Sequence, residues 1–267
     1  MFPYFIVFGR MITTYALLSI VGAFVAGIVA CRMTRKLGKD DTDTIVLLLV
    51  AGVGALVGGH ILYGITHYKY IPLLFRVESF DEFWELATAI FGGAVFYGGL
   101  FCAILLVALT IRIKKLEFPV FSDIIATVAP LFHAFARVGC FLGGCCYGIE
   151  SPFGFTVHHN DLVPSINGVS RFPVQLLEAL LNLGLFFLLY HLYQKSLSDR
   201  RLHGKILPIY LCLYAVIRFF DEFLRGDEIR GFVLGLSTSQ FISVLSFLIA
   251  GTYLLTAWRR AKRHPNP

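Results

Sequence analysis

The sequence predicts an all-α membrane protein that crosses the bilayer seven times, and three observations carry that expectation. The 267 residues are 57% hydrophobic and only 15% charged, with a mean hydropathy of +0.74, whereas a soluble domain is nearer half apolar and about a quarter charged. The apolar residues fall in long blocks, each close to the roughly 20 residues a helix needs to span the hydrocarbon core. Lys and Arg gather in the links that would lie on one side of those spans.

The blocks lie near residues 12–31, 44–66, 88–111, 121–137, 173–193, 204–224 and 236–258. The first follows MFPYFIVFGRM, which has neither a basic start nor an A-x-A-like cleavage site, so it is expected to stay as a span. The second and third carry AGVGALVGG and FGGAVFYGG, small-residue faces suited to close helix packing in lipid. The fourth is the weakest, interrupted by Pro130, His133 and Arg137. The last three are apolar runs with isolated polar positions such as Gln175, Glu178, Arg218 and Gln240. No internal repeat or low-complexity tract divides the chain, which reads as one domain over residues 1–267.

Of the 23 Lys and Arg, RMTRKLGKDD carries four, RIKK three, KSLSDRRLHGK four and the tail RRAKR four. The others are Arg10, Lys69, Arg76, Arg137, Arg171, Arg218, Arg225 and Arg230. The positive-inside rule then puts the N-terminus outside and the C-terminus in the cytoplasm. The same asymmetry accounts for the net charge of +6, so a nucleic-acid partner is not needed to explain it.

Polar side chains within the spans collect at one depth. Arg137, Arg218, Asp221, Glu222 and Arg225 fall in or at the outer ends of the fourth and sixth blocks, with His133 one turn before Arg137. Tyr97, Gln175 and Glu178 lie in the third and fifth blocks, and His60 near the outer end of the second. Ionisable groups in a membrane face one another or a wet cavity. Arg218 and Glu222 are i,i+4 neighbours able to pair, and Arg225 is expected one helical turn further on. Internal salt bridges between helices would explain any single one of these residues. Several arginines converging would suit a phosphate, whose oxygens match the guanidinium fork.

Residues 137–148, RVGCFLGGCCYG, hold one arginine, four glycines and three cysteines. So much glycine predicts an irregular backbone at the outer end of the fourth span, forming part of a pocket wall. Cys31, Cys102 and Cys212 read as small buried hydrophobes. Cys140, Cys145 and Cys146 would lie on the outer side, where a 140–145 or 140–146 disulfide can persist. The spacing C-x4-CC is not a usual zinc pattern, although His158 or His159 could add a ligand; neither a metal nor a cofactor is expected. Leu142-Gly143-Gly144-Cys145 matches a lipobox, but internally and without the preceding segments a lipidation signal needs.

Taken in order, AFARVGCFLGGCCYG, RFPVQLLEALL, YAVIRFFDEFLRGDE and LGLSTSQFIS resemble phosphatidylglycerol–prolipoprotein diacylglyceryl transferase, a seven-span bacterial inner-membrane enzyme family with its N-terminus outside. TTYALLSIVGAFVAG and GGAVFYGGL also fall in the family's order. The most specific element, G-R-x-G-x-F-x-x-G-x-x-x-G, is present as Ala136, Arg137, Gly139, Phe141, Gly144 and Gly148.

The resemblance implies a reaction in which the lipobox cysteine of a secreted prolipoprotein attacks the glyceryl carbon of phosphatidylglycerol, forming a thioether and releasing glycerol-1-phosphate. It implies phospholipid binding at Arg137, with Tyr15, Gly139, Gly148, Arg225, Gln175 and Glu178 around the substrates and Gln240 at a polar family position. Arg218 and Glu222 match the family's R-x-x-x-E pair and, with Tyr97 and His133, are the expected catalytic set. The partners implied are phosphatidylglycerol, the prolipoprotein signal peptide and the bilayer. Tyr97 stands where the family has a histidine, and His60 where it has an arginine. Cys140 and Cys145 stand at its usual asparagine and glutamate. Those exchanges leave two other classes open: a membrane thiol-redox or metal-handling protein on the same scaffold, and an anion or lipid transporter.

Overall fold

The computed structural model describes residues 2–199, 201–227 and 231–263, so Arg200 and Arg230, counted among the charges above, lie outside the described residues, as do the side chains of Lys262 and Arg263. Among the described residues the chain forms helices α1 (Thr14–Lys36), α2 (Asp41–Thr66), α3 (Phe80–Phe91), α4 (Phe96–Ile113), α5 (Phe118–Gly143), α6 (Val174–Ser196), α7 (Ile206–Asp221) and α8 (Thr238–Arg263). Six of them, all but α3 and α7, are long and apolar enough to cross a membrane. Large apolar side chains such as Phe24, Leu49, Ile104, Phe187 and Leu248 stand exposed around these helices, as they do where the surrounding solvent is lipid. The protein is predominantly helical and multi-pass.

The block at 204–224 becomes α7, 16 residues or about 24 Å at 1.5 Å per residue, followed by a 3₁₀ turn at Glu222–Leu224. The expected span from residue 88 begins later. Residues 88–91 finish α3, an amphipathic helix started by Ser79, whose Oγ accepts from the Glu82 N–H at 3.2 Å. The chain breaks at Gly92–Val95, where the Val95 N–H donates to the Gly59 carbonyl at 3.0 Å, and α4 starts at Phe96. The block expected to be weakest is one unbroken 26-residue helix, α5, and more of it is buried than of any other candidate span. Its polar residues lower its hydropathy because they face protein, where they find partners.

The all-α expectation needs one correction, since three antiparallel two-stranded pairs accompany the helices: β1 (Tyr4–Val7) with β2 (Arg10–Thr13), β3 (Glu150–Thr156) with β4 (Ser170–Arg171), and β5 (Phe232–Val233) with β6 (Leu236–Ser237). The first and third turn through Phe8-Gly9 and Leu234-Gly235, both residues of each pair having positive φ, the geometry whose twist matches a two-residue hairpin.

The chain divides into two compact units, one of Met1–Met33 with Pro119–Pro267 and the other of Thr34–Phe118. In the second, α2 and α4 pack through glycine: a Cβ at Gly58 would strike the Gly98 carbonyl and Cys102, and one at Gly54 would lie 2.8 Å from the Ala103 Cα. The small-residue faces read from the sequence do serve this close packing. In the first unit, buried Asp123 at the start of α5 caps α7 from a distance. Its Oδ1 accepts from the Ile206 and Leu207 N–H groups at 2.9 and 3.3 Å, and its Oδ2 from Gly204 at 2.7 Å. Two of the donors that the α7 N-terminus leaves unpaired, and one from the residue before its cap, are thereby satisfied by one carboxylate. At α8, Ser237 Oγ accepts from the Gln240 N–H at 3.2 Å and Gln240 Oε1 from the Ser237 N–H at 3.1 Å, a reciprocal capping box.

Candidate functional site

The polar residues of the first unit meet around Glu178, which α6 buries to 1% exposure. Arg137, six residues before the end of α5, donates from Nη2 to Glu178 Oε1 at 3.0 Å, and its Nε lies 2.8 Å from Oε2, although that N–H is not aimed along the contact. His133, one turn earlier on the same face, places Nε2 3.5 Å from Oε1. The Tyr214 hydroxyl of α7 donates to the same oxygen at 3.4 Å and its ring lies against His133, with centroids 5.3 Å apart. A carboxylate buried this deeply is stable only with such compensation. The i,i+4 spacing of His133 and Arg137 delivers two partners from one helix.

Tyr214 and Arg218 repeat that spacing on α7. Arg218 pairs with Asp221 at 3.3 Å and with Glu222 at 2.7 Å, and its Nη2 donates to Ser239 Oγ of α8 at 3.0 Å. The Arg218–Glu222 pair expected from spacing is therefore formed. Helices α5, α6, α7 and α8 each contribute to this arrangement of two guanidiniums. Two of these helices, α7 and α8, also line an apolar groove with Val216, Phe219, Phe220, Val244, Phe247 and Leu248.

Arg225 departs from its expected place. It is not on the helix: after the 3₁₀ turn its backbone is extended and bridges Gly148, and its side chain forms a two-pronged pair with Asp227 at 3.0 and 2.7 Å. Glycine at 148 has a packing cause. A Cβ there would strike the Phe172 carbonyl and lie 3.0 Å from that of Leu224, so the signature ends where three backbone segments meet. The adjoining bonds run from the Ile149 N–H to Leu224, from Gly226 to Tyr147 and from Phe172 to Ile149.

The glycine-rich stretch is also more helical than expected, since α5 continues through Gly139 to Gly143. A helix persists there because Gly139 faces α1: a Cβ would lie 3.0 Å from the Tyr15 Cα, so the glycine admits a close crossing. The irregular backbone starts at Gly144, φ +79°, where a side chain would strike Asn160. Asn160, itself fully buried, donates to the Gly143 carbonyl at 3.2 Å and accepts from the Leu162 and Val163 N–H groups. Gln175 donates to the Cys145 carbonyl at 2.9 Å. The loop lines a small cavity with Phe141, Tyr147, Arg171 and Gln175, as a pocket wall would.

None of the six cysteines is in a disulfide, and the sulfurs of Cys140, Cys145 and Cys146 lie within 4.8 Å of one another. Hydrogen bonds from the Cys140 and Cys145 thiols, then the Arg225 and Arg137 guanidiniums, hold the Cys146 thiol below the usual thiol range. His159, weighed as a further ligand, is exposed and pairs with Asp161 at 3.1 Å.

Tyr97 and His60 belong to the second unit. Tyr97 opens α4 with its ring edge-on to Phe96 at 5.6 Å. His60 Nδ1 reaches the Phe91 and Gly93 carbonyls at 2.7 and 2.9 Å, which ties it to the turn between α3 and α4. Sequence reasoning missed Tyr214, Ser239, Asp227 and Asn160. The first was visible as the residue four before Arg218; Asn160 sits in a loop with no periodicity to reveal it.

The family model described as prolipoprotein diacylglyceryl transferase matches residues 3–256. Among curated relatives, phosphatidylglycerol–prolipoprotein diacylglyceryl transferase 2 of Clostridium perfringens (strain 13 / Type A) is 33% identical over 257 residues, covering 93% of this chain and 91% of the relative. The enzymes of that name from Clostridium tetani (strain Massachusetts / E88) and Geobacter sulfurreducens (strain ATCC 51573 / DSM 12127 / PCA) are 30% and 31% identical, covering 92% of this chain in each case and 93% and 91% of the relatives. With a family match over nearly its whole length and relatives 30–33% identical over more than nine-tenths of each chain, the chain belongs to the prolipoprotein diacylglyceryl transferase family.

Proposed function

We propose that this protein transfers the diacylglyceryl group of phosphatidylglycerol to the lipobox cysteine of prolipoproteins. The observation that carries the proposal is the pair of guanidiniums, Arg137 and Arg218, that four helices hold in place, two of which also line an apolar groove. In the reaction a sulfur–carbon bond forms, the bond between the glyceryl carbon and the phosphate oxygen breaks, and the thiol proton passes to a base. The departing glycerol-1-phosphate gains one negative charge, so cations fixed in advance lower the barrier.

Arg137 is assigned the phosphate. Glu178 accepts from its Nη2 and lies 2.8 Å from its Nε, and among the described residues Nη1 has no hydrogen-bond partner and is assigned to the ligand. Arg218, oriented by Asp221, Glu222 and Ser239, is assigned the charge that develops on the leaving oxygen. His133, whose Nε2 lies 3.5 Å from Glu178 Oε1, is assigned the thiol proton. Tyr97 is given a catalytic part on its position in the family's third-span motif. Tyr15, Gly139, Gly148, Gln175 and Arg225 shape and hold the walls, and the α7–α8 groove has the chemistry an acyl chain fits.

The working form is a single domain over residues 1–267. It has seven spans, with α7 and its 3₁₀ turn as the sixth, an outer N-terminus and a place in the bacterial inner membrane. The distribution of Lys and Arg supports that orientation. The test is rescue of a strain depleted of its own transferase. Mature lipoprotein should reappear with the wild-type chain and not with Arg137→Ala. Failure of a correctly inserted wild-type chain to rescue would refute the proposed activity.

A further inference from the structure

Three sulfurs meet beside the signature loop for reasons that the transfer reaction does not supply. Cys140 lies in the last turn of α5 and is buried, and its carbonyl accepts from the Gly144 and Cys145 N–H groups at 2.9 and 3.2 Å. The chain then folds back through two left-handed residues, Gly144 at φ +79° and Cys146 at φ +56°. A non-glycine residue in that region is strained, and such strain persists where the surroundings enforce it. Here the enforcement comes from the Gln175 bond to the Cys145 carbonyl and from the Gly148–Arg225 bridge two residues on. Its result is to stack Cys145 and Cys146 over Cys140, all three sulfurs within 4.8 Å of one another.

We propose that Cys140, Cys145 and Cys146 form a three-thiolate site for a soft d¹⁰ cation of the zinc, cadmium or copper(I) class. With a metal–sulfur distance of about 2.3 Å, sulfurs bound to one such ion stand about 3.8–4.0 Å apart, so this triangle closes onto an ion with small side-chain adjustments. Thiolates select soft cations over magnesium or calcium. Among the described residues no histidine or carboxylate joins the group, which leaves a coordination position open. Three thiolates around a mono- or divalent cation carry net negative charge. Arg137, one turn before Cys140, and Arg225, bridged to Gly148, are placed to offset it. A competing use of the sulfurs, a disulfide from Cys140 to one neighbour, would leave the third thiol without a part. The site reverses the metal-free reading of the sequence.

The experiment uses the full chain in detergent, reduced with a phosphine, stripped with chelator, freed of both by gel filtration without air, and titrated with cadmium(II). The ultraviolet thiolate-to-cadmium absorption should saturate at one equivalent per chain. Zinc(II) should compete for it, and Cys146→Ser should weaken binding at least 100-fold. Cys31→Ser and Cys212→Ser should leave it unchanged. Because a loop variant can misfold, protection is also read on the wild type: bound cadmium should shield Cys140, Cys145 and Cys146 together from alkylation. Absence of the absorption at one equivalent, or equal alkylation of the three thiols with and without cadmium, would overturn the site.

Discussion

Breaking the ion pair between Arg137 and Glu178 perturbs the centre of the site, and its size follows from the structure. The Glu178 side chain is 1% exposed and that of Arg137 11%, with contacts of 2.8 and 3.0 Å. Opposite charges about 4 Å apart attract by roughly 4 kcal/mol at an effective dielectric near 20. Removing one partner strands the other charge away from water, which typically costs about 3–5 kcal/mol. Arg137→Ala and Glu178→Ala should therefore each lower the unfolding free energy by about that much. The double variant strands neither charge, so it should lose little more than either single one. The coupling then comes to about 3 kcal/mol, near the upper end for residues in direct contact. Reversible unfolding in mixed micelles with increasing denaturing detergent measures all four corners of the cycle. Additivity within about 0.5 kcal/mol would show that the two side chains do not depend on each other, and would refute the picture of Glu178 as the holder of Arg137.

Asp123→Ala should destabilise by about 1–3 kcal/mol by leaving the N–H groups of Gly204, Ile206 and Leu207 without their acceptor, yet leave turnover per folded molecule unchanged; unfolding paired with activity checks both. Gly148→Ala should force the Phe172 or Leu224 backbone aside, costing about 1–3 kcal/mol and lowering activity through the displaced Arg225 loop. Ser237→Ala should remove half of the α8 capping box, a loss of about 1 kcal/mol with activity retained.

Much of this architecture is legible in the sequence because a membrane chain needs long apolar helices, and hydropathy reports them directly. The difficulty lay where polarity and burial coincide. The block around Pro130, His133 and Arg137 looked weak by hydropathy, yet it is the most buried of the candidate spans, because its polar groups have partners within the protein. Residues 88–91 are apolar enough to extend a span, but the break before Phe96 assigns them to an amphipathic helix instead. The two-residue hairpins escaped notice because strands of two to four residues carry too little alternation to read.

Within the site, i,i+4 spacing correctly paired Arg218 with Glu222, and the same rule applied to Tyr214 would have added it. The association of Arg137 with Glu178 crosses from α5 to α6, and nothing in the spacing announces it. Glycine content predicted irregular backbone from Gly139, where close packing against Tyr15 was the cause. Glycine has both uses, and only the neighbour distinguishes them.

The most direct test of the central claim is the reaction itself, with purified protein in phosphatidylglycerol vesicles and a synthetic lipobox peptide. The wild-type chain should convert the peptide to its diacylglyceryl thioether and release one glycerol phosphate per product, and Arg137→Ala should lower the rate by about 10²–10³-fold. Folded wild-type protein that yields no thioether, or an Arg137→Ala variant that works as fast as wild type, would contradict the account.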